Sequence, residues 1–114
     1  MRLWLGVVCL MLMGLAPGPP LTVVVEGGHF KSEPAYVRLR IRVEPDPDNR
    51  GLWVSAVSDD FATSSYKQLA RDSAPTRWVI WKDIPAGVYT VVAVVERGAD
   101  RPWRASAGFQ VIGR

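Results

Sequence analysis

Cysteine and histidine are almost missing from this 114-residue chain: Cys9 and His29 are the only ones. Cys9 lies inside the apolar start of the chain, so a domain built from the remainder has no disulfide and is held by packing alone. Zinc and copper sites draw on several His or Cys ligands, which this chain cannot supply. A Ser-His-Asp or Cys-His arrangement would have to use His29, which follows Gly27 and Gly28 near the start of the domain, a poor place to hold a defined geometry. The expectation is a solvated loop histidine, no cofactor and no enzyme. Charge of one sign is scarce too. The formal net charge is +3, and removing Arg2 with a leader lowers it by one. Nucleic-acid binders carry a denser basic footprint, so no nucleic acid is expected as a partner. No long segment repeats apolar residues at helical spacing, and no apolar run reaches the ~20 residues that span a bilayer.

What the N-terminus does have is a short basic start, Met1-Arg2, followed by fourteen almost wholly apolar residues, Leu3 to Ala16. That length suits the apolar region of a secretory signal. Pro17, Gly18, Pro19 and Pro20 stop any helix there. Gly14-Leu15-Ala16 has the small-x-small form of a cleavage site, although Pro17 directly after it disfavours cleavage at that bond. The expected organisation is a signal helix over residues 1–20 and one domain over residues 21–114, exported to the periplasm or secreted. A membrane is contacted only through the leader, if it stays uncleaved.

The rest of the chain alternates with period two, the signature of half-buried strands. Leu21 to Glu26 is β-branched and reads as a first strand, ended by Gly27-Gly28. Tyr36 to Val43 is the clearest element: Val37, Leu39, Ile41 and Val43 share one face, and Tyr36, Arg38, Arg40 and Arg42 the other. Leu52 to Val57, Thr76 to Lys82, Gly87 to Glu96 and Trp103 to Ile112 read as further strands, with Gly87 to Glu96 apolar on both faces like a central strand. Ser58 to Ala74 is weaker, either a short strand or an irregular edge anchored by Phe61, Tyr66 and Leu69, with room for one helical turn near Lys67 to Arg71. Six or seven short strands separated by turn signals predict an all-β, seven-stranded antiparallel two-sheet sandwich.

Within it, Ile84-Pro85-Ala86-Gly87-Val88-Tyr89 places a Pro and a Gly just before a Tyr that opens a long strand. This resembles the tyrosine corner of Greek-key sandwiches, in which the Tyr hydroxyl bonds back to upstream backbone. The stretch Asp83 to Val95 is similar to the penultimate strand of bacterial immunoglobulin-like and fibronectin-type-III-like domains, and to a strand of transthyretin-related, carboxypeptidase-regulatory-like sandwiches. The resemblance covers about a dozen residues, and the intersheet cysteine pair of antibody domains is absent. It implies an immunoglobulin-like fold in which Tyr89, Pro85 and Gly87 have structural roles. It further implies a building block used for adhesion, as a spacer or in contact with carbohydrate, with a fold that many functions share.

Candidate binding residues follow from the strands. Arg38, Arg40 and Arg42 are spaced ~6.6 Å apart by strand rise. They suit an acidic polymer, or else form a solvated face with cross-strand partners such as Glu96. Trp53, Trp78, Trp81 and Trp103 are the other candidates. Alternation forbids Trp78 and Trp81 from sharing one core, so an exposed indole is expected as a platform for sugar rings or for a partner protein. Glu44, Asp46, Asp48 and Asn49 form an oxygen-rich loop that offers calcium a few ligands, but Pro45 and Pro47 stiffen it and no EF-hand pattern is met. Two functions are therefore expected in competition. One is a contact module for an envelope protein. The other is a polysaccharide- or polyanion-binding module using an exposed Trp with the arginine face.

Overall fold

The computed structural model describes residues 19–70 and 72–113. The expected signal helix lies outside the described residues. Eight strands follow in order: β1 (Leu21–Val25), β2 (Phe30–Ser32), β3 (Ala35–Val43), β4 (Asn49–Val57), β5 (Ala62–Gln68), β6 (Thr76–Ile84), β7 (Gly87–Arg97) and β8 (Trp103–Ile112). They form two sheets, one of three strands in the order β1-β3-β6 and one of five in the order β2-β8-β7-β4-β5.

Alternation decides what lies between the sheets. Along β3, every second residue from Ala35 to Val43 is buried, and Tyr36, Arg38, Arg40 and Arg42 are exposed. Val37, Leu39 and Ile41 face Leu52, Val54 and Ala56 of β4 and Val91, Ala93 and Val95 of β7 within one hydrophobic core. β7 lies between β4 and β8 in the five-stranded sheet; Tyr89, Val91, Ala93 and Val95 are buried against the small sheet, while Val92 and Val94 on the outer face are only partly covered. On β6, Val79 and Trp81 point inward and Trp78 and Ile80 outward. Trp81 keeps only 7% of its surface exposed. Its indole Nε1–H reaches across from the small sheet to the Ser65 hydroxyl on β5 at 3.1 Å, so the indole fills the open side of the sandwich with its polar atom satisfied.

The corner at the start of β7 is built as the IPAGVY segment suggests. The Tyr89 hydroxyl donates to the Pro85 carbonyl at 2.8 Å. The buried ring lies nearly parallel to Phe109, with centroids 4.8 Å apart, and meets Phe61 edge-on at 6.4 Å. One residue thus ties the β6–β7 turn to β8 and to the segment before β5.

The expected seven strands become eight. The addition, β2, is three residues long and runs parallel to β8, with Phe30 opposite Gln110 and Ser32 opposite Ile112. Neither side of β2 is buried, so it has no hydrophobic pattern to read; its position is set by backbone bonds, among them Gln110 N–H to the His29 carbonyl at 2.7 Å and Glu33 N–H to the Ile112 carbonyl at 2.9 Å. The weak segment after Ser58 contains a regular strand, β5, paired along its length with β4, and no helical turn occurs among the described residues.

Candidate functional site

The β3 arginines and one tryptophan meet on the outer face of the three-stranded sheet. Register places Arg40 between Val24 of β1 and Trp78 of β6, and Arg38 opposite Ile80. The Arg38 guanidinium lies over the Trp78 indole, 4.0 Å from the ring centroid. Trp78 is still 40% exposed, and Tyr36, Ile80 and Val24 on the same face are exposed as well. Arg40 pairs with Glu26 at 3.5 Å, a contact between half-exposed groups that contributes little to stability. Arg42 and Glu44 together line a depression of about 300 Å³ walled by Pro19, Pro20, Pro45 and Pro75. Lys82 is a further exposed cation on β6. The face is therefore cationic and aromatic, with exposed apolar side chains between the arginines.

The other candidates separate. Trp53 is 45% exposed but lies on the opposite face of the molecule, on the five-stranded sheet. Trp81 belongs to the core and is removed from any surface. Trp103 is partly buried at one end of the sandwich, beneath the Arg97 guanidinium at 4.0 Å. Glu96 is not a partner of the arginine row, because it lies on the other sheet, where one carboxylate oxygen accepts the Trp53 indole N–H at 2.9 Å.

The acidic loop is a clasp. Arg97 has 9% of its side chain exposed, and its Nη2 pairs with Asp46 at 3.1 Å and Asp100 at 3.5 Å while Nε donates to the Asn49 side-chain carbonyl. Asp48 accepts backbone N–H groups from Ala99 and Asp100 at 3.2 to 3.3 Å. The bond from Ala99 is the main reason its carboxyl titrates below the usual 3.8; burial opposes this, and the Asp100 amide and the charges of Arg50 and Arg97 add to it. The loop oxygens are thus engaged in joining the β3–β4 loop to the β7–β8 turn. No group of three or more His, Cys, Asp or Glu is arranged to hold a metal ion among the described residues. His29 is exposed, and its Nδ1–H donates to the Gly108 carbonyl at 2.9 Å.

Tyr66 is the residue that sequence reasoning left out of the candidates. It stands opposite Trp53 on β5, with ring centroids 4.5 Å apart and planes at 51°. Its signal is cross-strand pairing, which requires the β4–β5 register, and a segment that reads equally as a short strand or an irregular edge does not set that register.

Two packed sheets with a tyrosine corner define a β-sandwich of immunoglobulin-like type. No protein-family model matches this chain, and no curated protein matches it. Solved structures do. A superoxide reductase (neelaredoxin) from Ignicoccus hospitalis is 16% identical, with 80% of each chain covered and a TM-score of 0.62. The sulfur carrier protein SoxY from Chlorobium limicola is 14% identical, with 93% of this chain and 96% of that one covered and a TM-score of 0.57. The CARDB domain of a Pyrococcus furiosus protein, solved in complex with di-metal ions, is 14% identical, with 84% and 96% covered and a TM-score of 0.51. At these identities the likeness is one of fold. It also corrects the expectation that the chain is no enzyme: a superoxide reductase shares this sandwich, so the architecture gives no ground for setting catalysis aside.

Proposed function

We propose that this chain is an exported contact module, a bacterial immunoglobulin-like or fibronectin-type-III-like domain that binds an acidic surface of an envelope or extracellular protein through the outer face of β1-β3-β6. The observation that carries the reading is the Arg38–Trp78 stack at 4.0 Å, set among exposed Tyr36, Ile80 and Val24. Trp, Tyr and Arg are the residues that most often anchor protein interfaces, and a pre-stacked pair loses less side-chain freedom on binding. Arg38, Arg40, Arg42 and Lys82 give the face a positive balance against Glu26, Glu44 and Asp83. The leader-like residues 1–20 support export.

The same arginine row favours a second reading, an acidic polysaccharide laid along β3, because Trp78 shares the row's face. Capture from an envelope extract on immobilised wild-type protein separates the two. The main reading expects one protein partner, lost with Trp78→Ala and Arg38→Ala and retained with Trp53→Ala. Retention of an anionic polymer with the same mutational pattern points to the second reading. A capture profile unchanged by all three variants contradicts both.

A further inference from the structure

The opposite face of the molecule carries a second constellation, built from β4, β5 and β7. Trp53 and Tyr66 are directly paired and touch, and they remain 45% and 47% exposed. Both rings are held in place. Glu96 fixes the indole by accepting its N–H at 2.9 Å, which leaves Trp53 presenting only its π face. Tyr66 lies over Gly51, where a Cβ would come within 2.6 Å of the ring carbon Cε1; only a residue without a side chain admits the ring in this position. Such a ledge is pre-organised, and ordering it costs a ligand little.

The surroundings narrow the ligand class. Next to the ledge on the same face, Ser55 pairs with Ser64 and with Val92, and Val92 pairs with Ser106, so a row of hydroxyls crosses the sheet. Register places one acid, Glu96, opposite Gly51 and one base, Arg104, across Val94 from Trp53, and the nearby Arg50 is already paired with Asp48. That balance contrasts with the cationic face across the molecule and fits an uncharged ligand. A pyranose has this chemistry: an apolar C–H face to stack on a ring, and hydroxyls to bond a carboxylate and serines. The 51° between the rings prevents both from lying flat beneath one planar array, so a single soluble chain fits better than a crystalline surface. We propose that Trp53, Tyr66 and Glu96 form a subsite for a neutral, soluble glycan, distinct from the protein-contact face.

The test is a fluorescence titration of the purified full chain with cello-, chito- and malto-oligosaccharides at up to millimolar concentration, repeated by affinity electrophoresis in gels containing hydroxyethyl cellulose, chitosan-free glycol chitin or soluble starch. At least one class should bind wild type. Trp53→Ala and Tyr66→Ala should each weaken that binding by about tenfold. Trp53→Phe, which keeps a ring, should retain most of it, and this variant guards against a loss caused by misfolding. Trp78→Ala should bind as wild type does, so the inference and the protein-contact reading fail independently. Absence of binding by wild type to all three classes overturns the proposal, as does binding that survives both alanine variants.

Discussion

Arg97 shows how single residues hold this domain without a disulfide. Its side chain is 9% exposed, yet its charge is met by Asp46, Asp100 and Asn49 and its flat face by Trp103. Removing a mostly buried cation strands its partners, which here are partly exposed and can recover some hydration. Arg97→Ala should therefore lower stability by about 2 kcal/mol, below the cost of breaking a fully buried pair, as read by urea denaturation. Asp48 gives the clasp its pH dependence. Because its folded pKa lies below the ordinary 3.8, its contribution is fully present above that value and disappears as pH falls through the lower folded value. Asp48→Asn should lower stability at neutral pH and flatten the acid limb of the stability curve; an unchanged acid limb would show that the clasp does not depend on this charge. At the corner, Tyr89→Phe keeps the stack on Phe109 but frees the Pro85 carbonyl, and should cost about 1 kcal/mol.

At the scale of elements, β3 was readable residue by residue because burial on one face alone imposes strict alternation. Leu39 and Arg40 are chain neighbours on opposite faces, so Leu39→Ala should cost about 2–5 kcal/mol and Arg40→Ala less than about 0.5. Thermal denaturation of the two variants checks the register directly. β7 was legible as a central strand for the complementary reason, apolar residues on both faces. β2 was not legible as a strand, and β5 was legible only as one of two alternatives. β2 buries neither side, and its pairing with β8 follows a turn through Gly27 and Gly28, whose φ of 80° and 96° are left-handed. β5 is an edge strand of Ser, Thr, Tyr and Lys whose inner side includes Ser65, the partner of Trp81. A strand that packs polar groups inward does not show hydrophobic alternation. The site was legible to the same degree: the arginine row could be read from β3 alone, but its stack with Trp78 and the Trp53–Tyr66 pair required strand partners.

The whole molecule is a two-faced slab. One outer face is cationic and aromatic around Arg38 and Trp78; the other is hydroxyl-rich and near neutral around Trp53 and Tyr66. Sheet alternation makes this separation unavoidable, since the core takes Trp81 and the two exposed indoles stand on different sheets. Export is part of the proposed function and is tested on the leader-like segment itself. Fusion of residues 1–20 to a reporter active only outside the cytoplasm should give signal, and replacing Leu10 and Leu12 by Arg should abolish it. Under the proposed function the β1-β3-β6 face contacts a protein. Photo-crosslinking in intact cells tests it most directly, with a benzoylphenylalanine placed either at Ile80, exposed beside Trp78, or at Thr90, exposed on the opposite sheet. A discrete protein adduct should form from Ile80 and disappear with Arg38→Ala, and none should form from Thr90. An adduct from Thr90 alone, or no adduct from either position, would contradict it.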